Sequence, residues 1–304
     1  MRLSRRLALG ASLLVLLGAC TTGGGGKPAI RIGSDGFYES KLMGEIYAQV
    51  LVANGYQVER KLGLGPRKDR VPAMESGQLD LVPEYLGSGL GFYDEAKVSN
   101  DPAANKAALQ AILDGKGGGI TVLGYTPGED SNAFVVRRET ADQFKLARMS
   151  DLAPVQDQLT WGLPPECETN PLCAGALKNE YGIRFPPQKL KLLDACDAPM
   201  AEALVGKAVD IAELCSTQPV IKQAGLVVLE DDRDTQPAEN IAPLVRNDYL
   251  AKVGDRAAFQ KLLDDVSAKI TTQVLLDLGA KVTVDKQDID DVAAEWLKAN
   301  GFVK

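Results

Sequence analysis

Side chains that could bind a small ligand follow two predicted strands in the first third of the chain. These side chains are Ser34, Asp35, Phe37, Tyr38 and Tyr85. The strand ends of an open α/β sheet meet at one edge, and such sheets bind small ligands at that edge. Hydroxyls, a carboxylate and aromatic rings placed there predict a polar, aromatic ligand-binding site.

Catalytic chemistry has few candidate residues in this chain. Histidine is absent from all 304 positions, which excludes Ser-His-Asp and Cys-His mechanisms and histidine-based zinc sites. No P-loop or dinucleotide-binding fingerprint occurs. A carboxylate pair such as Glu166 and Glu168 is the remaining catalytic alternative. We expect a protein that is not an enzyme, with no cofactor and no metal.

Composition limits the remaining classes. The chain is 45% hydrophobic and 25% charged, as in ordinary globular proteins, and its length suggests about two domains. Its net charge of −7 argues against nucleic acid as a partner, because phosphate binding needs a clustered positive surface.

The first residues have the pattern of an export signal. Arginines at positions 2, 5 and 6 precede an apolar stretch at 7–17, which is too short to span a bilayer. Cys20 follows Leu17-Gly18-Ala19, which resembles a bacterial lipobox, so we expect a lipoprotein signal peptide at 1–19 and lipidation of Cys20. A glycine-rich tether at 20–27 would follow. The alternative is an export signal without lipidation.

The mature chain alternates between strand patterns, at 29–32, 57–62, 79–82 and 119–123, and helix patterns, at 41–54, 70–77 and 102–115. This alternation predicts an α/β fold with a mostly parallel sheet. Its last part is almost all helical, at 255–277 and 286–300. Two similar apolar runs, 132–137 and 241–246, each end in arginine and enclose a second α/β stretch. We interpret the runs as crossing strands around an inserted lobe, which would create a hinged cleft. Two consecutive domains joined by one linker are the alternative.

Four cysteines remain after Cys20, and an even number in an exported protein suggests disulfides. Cys167 and Cys173 enclose a short loop with a turn-forming Asn-Pro, so this pair is favoured. Cys196 and Cys215 would then form the second pair. Two other pairings, and free buried thiols for the second pair, stay open.

Several segments together resemble the extracytoplasmic substrate-binding proteins of glycine betaine/choline (osmoprotectant) ABC importers. They are IGSDGFYES, GEIYAQVLVANGYQVERKLGLG, SGQLDLVPEYLGSGL, KNEYGI, LVVLEDD, APLVR and EWLKANGFV. The resemblance implies a two-lobed periplasmic-binding-protein type II fold with two hinge crossings. Lobe 1 would comprise 28–131 and 241–304, and lobe 2 would comprise 132–240.

The same resemblance implies a cage of aromatic side chains around a trimethylammonium group. Such a group donates no hydrogen bond and is attracted to ring faces. Tyr85 matches the tyrosine of the family's Pro-Glu-Tyr motif, and Ser88 replaces a nearby threonine. The other positions carried over from the family are Asp130, Asn132, Cys215, Thr217 and Glu239.

Three of these positions depart from the family's aromatic cage. Asn132, Cys215 and Glu239 stand where aromatic residues are frequent, and an arginine that can clamp a ligand carboxylate is missing near Asn170. Phe37 and Tyr38 are candidates for replacement rings, whereas core packing is the favoured interpretation of Trp161. Asp35 either contacts ligand or caps the helix predicted from about Ser40. The acidic positions suggest a cation without a carboxylate, such as choline.

The predicted function is capture of a quaternary-amine solute and its delivery to an ABC permease with a cytoplasmic ATPase. We expect a monomer that is anchored by lipid to the bacterial cell envelope, outside the cytoplasm. One alternative is a binding protein of the same fold for another small metabolite. The remaining alternatives are an exported carboxylate-dependent enzyme and a structural or sensory lipoprotein that binds no ligand.

Overall fold

The computed structural model describes residues 27–117 and 119–304. The predicted signal peptide at 1–19, Cys20 and most of the predicted tether at 20–27 lie outside the described residues. Within the described part of the chain, no helix combines the length and the apolar character needed to cross a membrane.

The described residues form ten strands and twelve α-helices. The strands are β1 (Ile30–Gly33), β2 (Val58–Lys61), β3 (Leu81–Tyr85), β4 (Ile120–Val122), β5 (Asn132–Val136), β6 (Trp161–Leu163), β7 (Leu190–Leu192), β8 (Ile211–Cys215), β9 (Val227–Val228) and β10 (Ile241–Arg246). The helices are α1 (Tyr38–Ala53), α2 (Arg67–Glu75), α3 (Leu86–Tyr93), α4 (Pro102–Gly115), α5 (Arg138–Phe144), α6 (Ala176–Asn179), α7 (Ala198–Val205), α8 (Val220–Gln223), α9 (Asn247–Leu250), α10 (Arg256–Ser267), α11 (Thr272–Thr283) and α12 (Ile289–Ala299).

The strands form two five-stranded sheets with matching topology. The sheet of lobe 1 has the order β2-β1-β3-β10-β4, and the sheet of lobe 2 has the order β7-β6-β8-β5-β9. In each sheet one strand, β10 or β5, runs antiparallel to both of its neighbours. The other pairings in both sheets are parallel, as the alternation of elements predicts.

The two similar runs at 132–137 and 241–246 supply these antiparallel strands. They were predicted to cross between lobes, but β5 and β10 each lie within a single sheet. The crossing segments come just before them and meet where Glu129 pairs with Asn240. There the backbone N–H of Asp130 donates to the carbonyl of Glu239 at 3.2 Å. The chain therefore passes between lobes twice, through segments that lie side by side.

Apolar side chains cover both faces of each sheet. In lobe 1, α1 and α10–α12 pack on one face, and α3 and α4 pack on the other. In lobe 2, Trp161 is fully buried in the core on one face, as favoured, and Met200 and Leu204 of α7 lie in the core on the other face. Strands buried on both faces read as short continuous apolar runs, which explains why sequence patterns located most of them.

Local capping explains two helix boundaries. Helix α4 has its predicted bounds, because Asp101 accepts a hydrogen bond from the Ala103 N–H at 2.8 Å and Pro102 suits the first helical position. The predicted continuous helix at 255–277 is wrong. The Thr271 hydroxyl accepts from the Val274 N–H at 3.2 Å and starts α11 separately from α10.

Candidate ligand-binding site

A cavity of about 220 Å³ lies between the lobes, at the ends of β3 and β8. Lobe 1 and the crossing segments line it with Asp35, Gly36, Phe37, Gly65, Pro66, Arg67, Tyr85, Ser88, Asp130 and Glu239. Lobe 2 lines it with Asn132, Pro164, Glu166, Asn170, Asp194, Ala195, Cys196, Asp197, Glu213 and Cys215. We call this cavity the cleft. Residues far apart in sequence meet here because both sheets direct their strand ends toward it.

Two aromatic rings lie together on the lobe 1 wall. Tyr85 is the last residue of β3, and Phe37 is the residue directly before α1. Their ring centroids are 5.7 Å apart, with an angle of 39° between the ring planes. The Tyr85 hydroxyl donates to Oε1 of Glu39 at 2.9 Å, which fixes the orientation of the ring. Ring faces at a cleft wall can attract a cation.

The arginine that lines the cleft is already paired. Buried Glu84 accepts hydrogen bonds from Nη2 of Arg67 at 2.9 Å and from Nη1 of Arg70 at 3.1 Å. Burial alone would raise the pKa of Glu84, but the charges of the two arginines outweigh it and hold the pKa at about 2. Arg67 is the only basic residue among the lining residues, so no unpaired cation lines the cleft to meet a ligand carboxylate.

A pair of buried carboxyls joins the lobes behind the rings. Glu39 of α1 accepts from the Thr217 hydroxyl at 2.7 Å, and Asp130 accepts from the Thr217 N–H at 2.9 Å. Burial raises the pKa of both acids, and the charge of Asp130 raises that of Glu39 further. These contacts connect α1 of lobe 1 to the turn after β8 in lobe 2.

Glu239 lies in the second crossing segment and is held by the first turn of α3. It accepts from the Ser88 N–H at 2.9 Å and from the Ser88 hydroxyl. Burial raises the pKa of Glu239 to about 7, although the hydrogen bonds from Ser88 oppose the rise. Its carboxyl can therefore carry or release a proton close to neutral pH.

Both disulfides lie in lobe 2. They join Cys167 to Cys173 and Cys196 to Cys215, with Cα–Cα distances of 5.1 Å and 4.9 Å, which is the pairing that the sequence favoured. Cys196 and Cys215 line the cleft, opposite the wall that carries Tyr85.

The sequence model for the substrate binding domain of the ABC-type glycine betaine transport system matches residues 28–299. The chain belongs to this family. Its relatives include the glycine-betaine-binding protein of Pseudomonas aeruginosa, 29% identical over 98% of this chain and 94% of the relative. The glycine betaine-binding protein YehZ of Escherichia coli is 30% identical over 98% of this chain and 99% of its own.

Solved structures share the fold of this chain. A glycine betaine/carnitine/choline ABC transporter protein superposes with a TM-score of 0.68 at 22% identity, over 90% of this chain and 99% of that one. The apo form of YehZ has a TM-score of 0.63 at 25% identity and covers 90% and 99%. The two-lobed fold class expected from the sequence is confirmed, and so is the resemblance to this family.

The structure brings most of the predicted site residues to the cleft. The predicted residues that line it are Asp35, Phe37, Tyr85, Ser88, Asp130, Asn132, Cys215 and Glu239. Asp35 does not cap α1, because the start of α1 has no side-chain cap. The Asp35 carboxylate instead forms an ion pair with Arg70, with 3.4 Å between Oδ2 and Nη2.

Three predicted site residues lie behind the cleft wall. Ser34 is buried and accepts from the Gly63 N–H at 2.9 Å, and Thr217 is buried against the paired carboxyls. Tyr38 packs against Gly279 of α11 in lobe 1. The two are so close that a Cβ added to this glycine would lie 2.9 Å from the Tyr38 hydroxyl. None of the three lines the cleft. For Tyr38 the reason is that α1 begins at this residue and turns its side chain away from that of Phe37.

Sequence reasoning missed several acidic residues at the cleft. Asp194, Asp197 and Glu213 line it, and so does Glu166, which was considered only as half of a catalytic pair. Glu168, the other half, is exposed and is not among the lining residues, so the two do not meet in the cleft. The one sequence signal for Glu213 is a charged residue inside the apolar run Ile-Ala-Glu-Leu-Cys, which marks an unusual buried acid without placing it at the cleft.

Proposed function

We propose that the protein captures a small quaternary ammonium solute in the cleft and delivers it to the permease of an ABC importer. The observation that carries this proposal is the Phe37–Tyr85 ring pair set among carboxyl groups between two lobes. A quaternary ammonium has no N–H to donate, so ring faces and carboxylates are the groups that suit it. A good ring contact contributes about 0.5–2 kcal/mol.

Names of relatives support this ligand class. The two bacterial relatives are named for glycine betaine, and the solved structure for glycine betaine, carnitine and choline. A ligand that touches both lobes stabilises the closed arrangement by its differential affinity for that arrangement. The proposed lobes are 28–131 with 241–304, and 132–240.

The proposed ligand contacts follow from the position of each side chain. Tyr85 and Phe37 would contact the ammonium group, with Asp35, Ser88, Asp130, Asn132 and Glu239 around it. Cys215 would contribute as part of its disulfide with Cys196. Ser34, Tyr38 and Thr217 would support these residues from behind the wall.

Export and anchoring complete the proposal. Residues 1–19 would act as a lipoprotein signal peptide and Cys20 would carry the lipid, which places the two lobes outside the cytoplasm. The protein would work as a monomer with a membrane permease, and a separate cytoplasmic ATPase would supply the energy of uptake.

Replacing the central ring tests the proposed site. Isothermal calorimetry with glycine betaine, choline and carnitine should detect binding of at least one by the unmodified protein. Tyr85→Ala should then weaken that binding about 2- to 30-fold, as expected for loss of one cation–π contact. Tyr85→Phe, which keeps the ring, should retain more of the affinity than Tyr85→Ala. Absence of binding by all three compounds would show that the proposed function is wrong.

A different small metabolite is the second candidate. It is favoured by the lobe 2 wall, which presents a disulfide and several carboxyl groups and no aromatic ring among the lining residues. Thermal-shift screening against unrelated polar metabolites distinguishes the two candidate ligand classes. A compound without a quaternary nitrogen should raise the melting temperature only if the second candidate is right.

A further inference from the structure

The cleft has a strong excess of acidic groups. Seven of its twenty lining residues are Asp or Glu, and its one basic residue, Arg67, is bound to Glu84. Like charges in a partly desolvated site repel each other more strongly than they do in water. A ligand that brings its own carboxylate would add to this repulsion, whereas a plain cation would reduce it.

Glu213 is the acid with the least support from the protein. Its side chain is buried, with 2% of the residue exposed, yet no Lys or Arg of the described residues lies within salt-bridge distance. Within the described part of the chain, its carboxyl makes one polar contact, between Oε2 and Sγ of Cys173 at 2.8 Å. That sulfur belongs to a disulfide and has no proton to donate.

A purely structural role does not explain Glu213. A buried carboxyl without a cation or hydrogen-bond donor destabilises a fold, and an apolar residue of similar size would pack there at lower cost. Glu84, near the end of the corresponding strand of lobe 1, illustrates the structural solution, because two arginines neutralise it. Glu213 instead lies on the cleft wall, where a bound ligand can supply the missing partner.

We propose that Glu213 is a specificity residue that makes the cleft select cations without a carboxylate, of the amino-alcohol type represented by choline. The proposal rests on the proposed function and narrows its ligand class. A bound cation would favour the ionised carboxylate, which would accept a hydrogen bond from the ligand's hydroxyl or face its positive charge, and the charge of Glu166 would reinforce the preference. A carboxylate on the ligand would lie against both acids with no arginine free to bind it.

Choline and glycine betaine are matched probes for this proposal. Both carry a trimethylammonium group. At the other end choline has a hydroxyl, whereas glycine betaine has a carboxylate. Calorimetry at one pH should show that the unmodified protein binds choline at least tenfold more tightly than glycine betaine. Glu213→Gln, which keeps the size and removes the acid, should reduce that ratio to about threefold or less.

Glu168→Gln is the matched control, because Glu168 is an exposed acid of the same lobe outside the cleft lining. It should leave the ratio unchanged, and thermal melting should verify that both variants are folded. Equal or tighter binding of glycine betaine by the unmodified protein would overturn the proposal, as would an unchanged ratio in Glu213→Gln. Binding of neither probe, nor of carnitine, would instead refute the proposed function itself.

Discussion

The two walls of the cleft have the same backbone plan and different chemistry. In lobe 1, β3 ends at Tyr85, which pairs with Ile241, the first residue of the antiparallel strand. In lobe 2, β8 ends at Cys215, which pairs with Asn132 at the start of its own antiparallel strand. Tyr85 and Cys215 therefore hold equivalent positions, and an aromatic ring on one wall faces a disulfide on the other.

The segments that lead into the antiparallel strands repeat this plan. Asp130 and Glu239 each lie two residues before their strand, and each accepts hydrogen bonds from the segment that follows the central strand of the same lobe. Asp130 differs because a second buried carboxyl, that of Glu39, lies beside it, and the charge of Asp130 raises the pKa of Glu39. The equivalence shows that backbone topology determines where a side chain reaches the cleft, while residue type determines which ligand group it can meet.

The buried acids differ most between the walls. Glu84 has two arginine partners, whereas Glu213 has no cation within salt-bridge distance among the described residues. Lobe 1 thus uses its acid to hold α2 against β3, and lobe 2 keeps its acid available. The experiments below test this difference, starting with the largest expected effect.

Removing an arginine partner should destabilise lobe 1 strongly. Arg70→Met leaves Glu84 with one partner in a buried site, so we expect a loss of about 3–5 kcal/mol in the free energy of unfolding. Chemical denaturation at neutral pH measures it. Glu213→Gln should cause no loss in the same assay, because it removes an acid that has no cation partner among residues 27–117 and 119–304. A larger loss for Glu213→Gln than for Arg70→Met would contradict the contrast between the two acids.

Lobe 2 should depend on its cleft disulfide. Replacing Cys196 and Cys215 by alanine opens a loop with a sequence separation of 19, which predicts a loss of about 3 kcal/mol from the entropy of the unfolded chain. The same double replacement at Cys167 and Cys173, with a separation of 6, should lose about 2 kcal/mol. Thermal or chemical denaturation under oxidising conditions gives both values. The reverse order would show that native-state contacts, and not loop length, determine these losses.

Sequence patterns predicted the plan of both lobes better than the direction of single side chains. Apolar runs located the main elements because the burial of one strand or helix leaves a local pattern in the sequence. Phe37 and Tyr38 show the limit of this approach. They are neighbours in sequence, but the first turn of α1 directs one ring to the cleft and the other into lobe 1. A helix start that shifts by one residue reverses that assignment.

Glu213 could not be identified as a cleft residue from its strand alone. The run Ile-Ala-Glu-Leu-Cys predicts a strand buried on both faces, but it does not show what lies against each face at its ends. The burial of Glu213 results from the Cys167–Cys173 loop, which packs against it from a distant part of the chain. Contacts of this kind depend on tertiary packing and leave no periodic signal.

The two acids should also give opposite dependences of stability on pH. Burial and the nearby Glu166 raise the pKa of Glu213 to about 8, from an ordinary value of 4.5, so the folded protein binds the extra proton. Its contribution to stability is therefore complete below about pH 4.5 and is lost as the pH rises toward 8, with a slope of at most about 1.4 kcal/mol per pH unit. Glu84, with a pKa of about 2, contributes above pH 4.5 and loses its contribution as the pH falls.

The free energy of unfolding, measured without ligand from pH 3 to 9, tests both acids. Glu213→Gln should remove only the loss of stability between about pH 4.5 and 8, and Glu168→Gln should leave the pH dependence unchanged. A difference between the unmodified protein and Glu213→Gln that stays constant from pH 5 to 8 would mean that Glu213 is already ionised, and hence already paired, in the ligand-free fold.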